Sequence, residues 1–313
     1  MAKLLHVSAS PHLRSPLSSA KMMREVIIAL MPATLFGIYW FKTEALIVIL
    51  TCVISCGLFE YLFEKGIKRA ITIKDGSAIV TGLLLALNLP SSVPLYIPIV
   101  GSFFAIVVVK QLYGGLGQNI MNPALAARCF LLIAFAGRMT TYTLDGVSSA
   151  TPLATLKTGA DYDLMKLFIG NIGGCIGETS AVALLIGAAY LLIKKIISIR
   201  IPLAIIISFS LFVLCFSSRS MDFKYLAEQL CAGGFWLGTW FMATDYVTSP
   251  INAKGSIIYG IIIGLLIGLF RIIGSTAEGV SFAIIFTNLL VPLIEKYTLP
   301  KAFGSKGATH EKK

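Results

Sequence analysis

The stretch Ser256-Ile-Ile-Tyr259-Gly-Ile-Ile-Ile263-Gly-Leu-Leu-Ile267-Gly-Leu-Phe270 decides the fold. No charge interrupts it before Arg271. With its neighbours it approaches the ~20 residues that a helix needs to cross ~30 Å of hydrocarbon. Similar runs recur along the chain, with spans expected near 25–41, 44–63, 76–89, 92–109, 121–137, 178–197, 202–217, 230–244, 256–273 and 275–294. Only helices or closed barrels satisfy the backbone in lipid, and these runs lack the period-2 alternation of barrel strands. The expectation is an all-α polytopic membrane protein with about ten transmembrane helices.

Composition agrees. The chain has 57% hydrophobic and 13% charged residues and a mean hydropathy of +0.85, whereas a soluble domain carries about 25% charge. The third, fifth and eighth runs are short for a full crossing, which points to tilted or broken helices inside the bundle.

The 26 Lys and Arg residues set the orientation. Basic residues cluster in 1–24 (Lys3, Arg14, Lys21, Arg24), after the second run (Lys65, Lys68, Arg69, Lys74), after the sixth (Lys194, Lys195, Arg200) and in the tail. With an even number of spans, all of these fall on one face, which the positive-inside rule makes cytoplasmic. The net charge of +11 is therefore topology. No basic helix with interleaved aromatics suggests nucleic acid. Residues 1–20 lack the apolar core of a signal peptide, so the first span is expected to serve as an uncleaved insertion signal. The resulting division is a cytoplasmic N-terminal segment 1–24, a five-helix repeat 25–137, an extracytoplasmic loop 138–177, a second five-helix repeat 178–297 and a cytoplasmic tail 298–313. The tail is polar and is read as disordered.

The halves resemble each other. Ala86-Leu-Asn88-Leu-Pro follows the third run as Ala243-Thr-Asp245-Tyr-Val follows the eighth. Leu-Phe-Gly37-Ile-Tyr39 matches Leu-Ile-Gly187-Ala-Ala-Tyr190. Five spans in each half make the two repeats run in opposite directions, with short helices framing a site near the pseudo-symmetry axis.

Polar residues inside apolar runs are candidates for function. Arg128 lies within the fifth run, where a charge must face the bundle interior, water or a partner. Arg271 reads as an interfacial charge at the outer end of the ninth run. The acids near the membrane are Glu60, Asp75, Glu178, Asp245 and Glu278. Glu178 and Glu278 each open a span, where they either favour a helix N-terminus or bind a cation in transit. Lys110-Gln-Leu-Tyr-Gly-Gly115-Leu-Gly117-Gln-Asn119-Ile-Met-Asn122 joins the fourth and fifth runs. Its glycines allow close approach of backbone to a ligand. The amides of Asn119 and Asn122 suit the edge of an isoalloxazine or quinone. Spacing alone puts the plainer reading first, a tight helix–helix corner with an Asn cap. Cys52 and Cys56 share a helix face and read as packing residues. His6, His12 and His310 form no metal-binding or catalytic set, so no metal site is assigned.

The longest non-apolar interval holds Asp145-Gly-Val-Ser148-Ser149-Ala150-Thr151-Pro152. Pro152 restrains Thr151 to extended backbone, so its hydroxyl can point outward. Charge places this segment outside.

Several strings together resemble a known family over nearly the whole chain. They include Asp75-Gly-Ser-Ala-Ile-Val-Thr-Gly, Gly114-Gly-Leu-Gly-Gln-Asn, Asn122-Pro-Ala, Ser148-Ser-Ala-Thr-Pro-Leu, Gly177-Glu-Thr-Ser-Ala and Gly233-Gly-Phe-Trp-Leu-Gly-Thr-Trp. The chain resembles the RnfD subunits of Rnf complexes, in the NqrB/RnfD family. It is more distantly similar to the longer NqrB subunits of sodium-pumping NADH:quinone reductases. The resemblance implies a membrane subunit of an ion-translocating ferredoxin:NAD oxidoreductase in the bacterial cytoplasmic membrane, not catalytic alone. It implies partnership with RnfA, RnfB, RnfC, RnfE and RnfG. It also implies FMN joined through its phosphate to Thr151 by an extracytoplasmic flavin transferase that recognises Asp145, Ser148 and Ala150. Ser149 stands where the family has Gly. A second, non-covalent flavin (riboflavin) is implied toward the cytoplasm, at Asn119 and Asn122 with Gly115 and Gly117. The ion path, for Na⁺ or H⁺, would draw on Glu178, Glu278, Asp245 and Asp75. A secondary transporter without a cofactor is the alternative, since inverted repeats and lone intramembrane charges occur there too. A scaffold subunit is a third reading.

Overall fold

The computed structural model describes residues 18–144, 147–149, 152–157, 162–217, 219, 221–274 and 279–300. The chain opens with α1 (Ser19–Gly66), in which Lys42 has φ 56 and breaks the helical path. The break leaves two arms of roughly 35 Å each at 1.5 Å per residue, matching the first two expected spans. Next come α2 (Ser77–Leu87), α3 (Tyr96–Phe103) and α4 (Pro123–Ala134). The wider π-helical stretch Phe104–Gln111 continues α3.

The interval read as a loop carries structure of its own. It holds α5 (Ala136–Met139), an antiparallel pair β1 (Tyr142–Leu144) and β2 (Val147–Ser149), α6 (Pro152–Lys157) and α7 (Leu164–Ile169). The strands pair Tyr142 with Ser149 and Leu144 with Val147. This hairpin is an exception to an otherwise helical fold.

The second half follows with α8 (Ala181–Ile193), α9 (Arg200–Phe216), α10 (Phe223–Cys231) and α11 (Phe235–Leu237), then α12 (Ala253–Ile272) and α13 (Val280–Thr298). Another π-helical turn, Gly238–Met242, extends α11. Among the described residues three helices, α1, α12 and α13, are long and apolar enough to cross a membrane by length and composition. The runs expected to be short are short here: α2, α4 and α11.

Burial is inverted relative to a water-soluble protein. Glu60, Glu64, Lys110, Arg128 and Arg271 are buried, while Leu35, Ile54, Ile133, Leu211 and Phe286 are more than half exposed. An apolar solvent explains both facts, since hydrocarbon welcomes leucine and drives charge inward. The protein is a membrane protein.

One apolar core runs through both halves, from Leu30 and Leu85 to Phe209, Tyr259 and Ile284. Within it α9 packs on α12 along Gly260, Gly264 and Gly268. A Cβ on Gly264 would lie 2.0 Å from Ser208 Oγ, and one on Gly260 2.6 Å from Ala204 Cβ. Without side chains at this four-residue spacing the backbones approach closely, and dispersion and weak polar contacts hold helices together where lipid competes for apolar surface.

Candidate functional site: an aromatic-walled cavity and a buried ion pair

Arg128 is carried into the core by α4. Its N-terminus is fixed by Asn122, whose side-chain oxygen accepts from the backbone N–H of Ala124 and Leu125, with Pro123 in the first turn. The Asn122 amide nitrogen donates to the Met242 carbonyl at 3.4 Å. The Asn-capped corner that spacing favoured is therefore present, and it also ties α4 to the π-helical turn after α11. Gly115 and Gly117 turn the preceding loop at φ 100 and φ 92, which L side chains rarely adopt.

Two turns into α4, the Arg128 guanidinium is 3% exposed and lies 2.6 Å from Glu178 Oε1. It also donates to Asn88 Oδ1 at 2.5 Å, at the end of α2. The segment Cys175–Gly177 pairs with the chain leaving α2, through Ile176 N–H to Leu89 O and Gly177 N–H to Leu87 O. This backbone pairing holds Glu178 where Arg128 can reach it. Glu178 precedes its helix: α8 begins at Ala181, capped by Ser180. The acid read as a helix opener is the partner of Arg128.

Arg271 is not an interfacial charge. It is 2% exposed, donates to the carbonyls of Gln229, Ala232 and Gly233, and lies over the rings of Phe209 and Phe235. An arginine unable to deprotonate satisfies its fork with carbonyls when buried.

Toward the face that carries Lys65, Lys68 and Lys74, a cavity opens between the two halves, lined by residues of both. Trp240, Phe241 and Tyr246 wall it on one side, while Lys110, Asn119 and Asp245 add polar groups. The lining therefore includes Asn119, Asn122 and Asp245, which the sequence singled out. Gly115 and Gly117 lie in the adjoining loop and not in the wall. Asp245 accepts from Thr248 Oγ1 at 3.2 Å. Asp75 accepts from the N–H and hydroxyl of Ser77, the first residue of α2. Both π-helical turns bring residues to this cavity, Lys110 from one and Trp240 and Phe241 from the other.

A buried cluster that reaches the cavity wall through Lys110 and Ser77 went unread in the sequence. Lys110 Nζ donates to Glu60 Oε1 and Ser77 Oγ, each at 2.7 Å. Gln111 and Thr72 join Glu60 to Glu64. The i, i+4 spacing of Glu60 and Glu64 was the available signal.

A smaller pocket lies on the Glu178 side, lined by Pro152, Leu153, Ile172, Gly173, Gly174, Glu178 and Gly233. Ser148 and Ser149 sit in β2, and Pro152 opens α6. Asp145, Ala150, Thr151 and Glu278 lie outside the described residues. Lys157, on α6, donates to the Gly274 carbonyl at 2.8 Å. Burial, and then the charge of Arg271, lower its pKa from the ordinary lysine value.

Outward apolar faces, buried charges and an aromatic-walled cavity between helices define a helical membrane protein with an internal site. The chain belongs to the NQR2, RnfD, RnfE family, whose model matches residues 6–304. It is 47% identical to the D subunit of the Na⁺-translocating ferredoxin:NAD⁺ oxidoreductase complex of Acetobacterium woodii, over 96% of this chain and 95% of that one. The D subunit of the proton-translocating ferredoxin:NAD⁺ oxidoreductase complex of Clostridium ljungdahlii is 40% identical, over 96% of each chain. The D subunit of the ion-translocating oxidoreductase complex of Aliivibrio salmonicida is 35% identical, over 96% of this chain and 98% of that one.

Proposed function

We propose that this protein is the D subunit of an ion-translocating ferredoxin:NAD oxidoreductase complex, carrying electrons through flavins held at two levels of the bundle. The observation that carries the reading is the cavity walled by Trp240, Phe241 and Tyr246 with Lys110, Asn119 and Asp245 in its lining. Aromatic faces with a few polar groups suit a flat heteroaromatic ring. The residues present fit riboflavin better than a phosphorylated flavin, because Lys110 is the only basic residue in that lining among the described residues and its charge faces Glu60.

The outer flavin is FMN on Thr151, recognised through Asp145, Ser148 and Ala150. Pro152, the residue after Thr151 in the chain, opens α6 and lines the pocket beside Glu178, which puts the proposed tether next to the start of that helix. When bound, the flavins supply the electron-transfer chemistry, while the chain positions them and sets their surroundings. Arg128 and Glu178 lie between the cavities: Asn122 lines one, Glu178 lines the other, and Asn88 bonds Arg128. The pair fixes both walls in one frame.

The arrangement as two inverted repeats belongs to the same proposal. Lys110 and Arg271 are each the penultimate residue of a helix, and each bonds the start of a short one, at Ser77 and at Gly233. The short helices α2 and α11 are each entered through a left-handed glycine, Gly76 and Gly234. Both termini are then cytoplasmic and the 138–177 region extracytoplasmic. Electron passage between the flavins is coupled to cation translocation by the complex, with RnfA, RnfB, RnfC, RnfE and RnfG as partners.

Purification of the full chain, co-expressed with a flavin transferase, tests this reading. Acid extraction should release riboflavin while FMN fluorescence stays with the denatured band. A colourless protein would favour the transporter reading instead.

A further inference from the structure

Lys110 is 2% exposed and lines the cavity, yet its ammonium also bonds Glu60, which lies outside the lining. It donates to Glu60 Oε1 and to Ser77 Oγ. Those two bonds leave one N–H for the cavity side among the described residues. Glu60 Oε1 also accepts from Thr72 Oγ1 at 3.4 Å and from Gln111 Nε2 at 3.1 Å. The same Thr72 hydroxyl reaches Glu64 Oε1, and the Thr72 backbone N–H donates to Glu64 Oε2 at 2.9 Å. Thr72 itself is exposed, in the loop rich in Lys and Arg. The chain of contacts thus begins at the surface and ends at the cavity wall.

Its charge does not balance. Two carboxylates, 0% and 2% exposed, face one ammonium. Among the described residues only Lys110 forms an ion pair with them, and a buried carboxylate without a cation is costly. Glu60 Oε2 has no hydrogen-bond partner among the described residues, so it has room for a proton in transit. The Thr72 hydroxyl has a single hydrogen and two carboxylate neighbours. A proton entering at Glu64 can therefore pass through the Thr72 hydroxyl to Glu60, which is the geometry of a relay.

We propose that Thr72, Glu64, Glu60 and Lys110 form a proton path from the cytoplasmic surface to the cavity, with Lys110 Nζ donating to the redox group held there. The proposal rests on the flavin reading above. A low-potential one-electron donor of the complex reduces the ring. One Lys110 N–H bond then breaks as a new N–H bond forms on the ring. A proton from surface water enters at Glu64, passes through the Thr72 hydroxyl to the Glu60 carboxylate, and goes from there to the neutral amine. Electrons and proton arrive from the same side, so the site gains no net charge inside the membrane. The other titratable groups around Lys110 are Asp75 beyond Ser77, Cys56 one turn before Glu60, and Asp245 and Tyr246 in the opposite part of the cavity lining.

The test uses the full chain in lipid nanodiscs loaded with riboflavin. Its midpoint potential is read by visible absorbance from pH 6 to 9, and proton uptake on reduction is followed with an indicator dye. The wild type should show a potential that falls as pH rises. The charge-balanced double variant Lys110→Met/Glu60→Gln should hold riboflavin with a potential that no longer follows pH. Thr72→Val, at the exposed entrance, should keep the wild-type potential and slow proton uptake at least tenfold. Unchanged pH dependence in the double variant, or wild-type uptake in Thr72→Val, overturns the path while leaving the flavin site standing. A wild-type chain that retains no riboflavin overturns both. Should the double variant lose riboflavin, the Thr72→Val rate alone decides.

Discussion

Arg128 and Glu178 are both buried, and their 2.6 Å contact joins residues from the two halves of the chain. Arg128→Met keeps length and removes the charge, leaving Glu178 buried opposite a thioether. Breaking such a pair from one side costs about 3–5 kcal/mol, whereas replacing both members by apolar groups is often nearly neutral. Arg128→Met should therefore unfold well below the wild type in a detergent melt, and Arg128→Met/Glu178→Met should recover most of the difference. A single variant that melts with the wild type would remove the pair from the structural frame. A charge standing alone in an apolar run made Arg128 visible in the sequence, because membrane burial leaves such a group few explanations. Its partner was not visible, since the two are far apart in the chain and only the pairing of Cys175–Gly177 with the end of α2 brings them together. Lys110 was missed for the opposite reason. It stands next to Gln111 at the end of an apolar run, where lysine ordinarily snorkels to the surface; the π-helical stretch turns it inward. Arg271 looked interfacial on the same logic, until the carbonyls around Gly233 appeared beside it.

At the scale of elements, apolar length carried most of the information. The positions of α1, α9, α12 and α13 follow from it, as does the shortness of α2, α4 and α11. The internal structure of 138–177 was hidden because its apolar residues are sparse: Leu153, Leu156 and Leu167 anchor it in the core without forming a run. The glycines of α12 were in plain view but carried no reading, since their meaning depends on which helix faces them. That helix is α9, and a Cβ at 264 would collide with Ser208 Oγ and the Ile205 carbonyl. Gly264→Leu should force α9 and α12 apart and cost several times the roughly 1–3 kcal/mol of ordinary overpacking, read as loss of folded protein on size-exclusion in mild detergent. Gly57, with nothing within 4 Å of its Cβ position, should accept alanine with no loss. Equal behaviour of the two variants would contradict the packing described.

For the molecule as a whole, a continuous apolar core carries both the cavity and the buried Arg128–Glu178 pair. The proposed two-level relay requires one ring reachable from cytoplasmic partners and one tethered on the far side. The proposed tether is the part most dependent on residue identity, because Thr151 and its recognition residues were singled out by sequence and resemblance alone. Its most direct test is the mass of the proteolytic peptide spanning residues 145–157, from chain purified after co-expression with a flavin transferase. The peptide should be heavier by one FMN less one water, with fragmentation placing the addition on Thr151, and Thr151→Ala should return it to the unmodified mass. An unmodified wild-type peptide, or an adduct that survives in Thr151→Ala, would contradict the tethered-flavin relay.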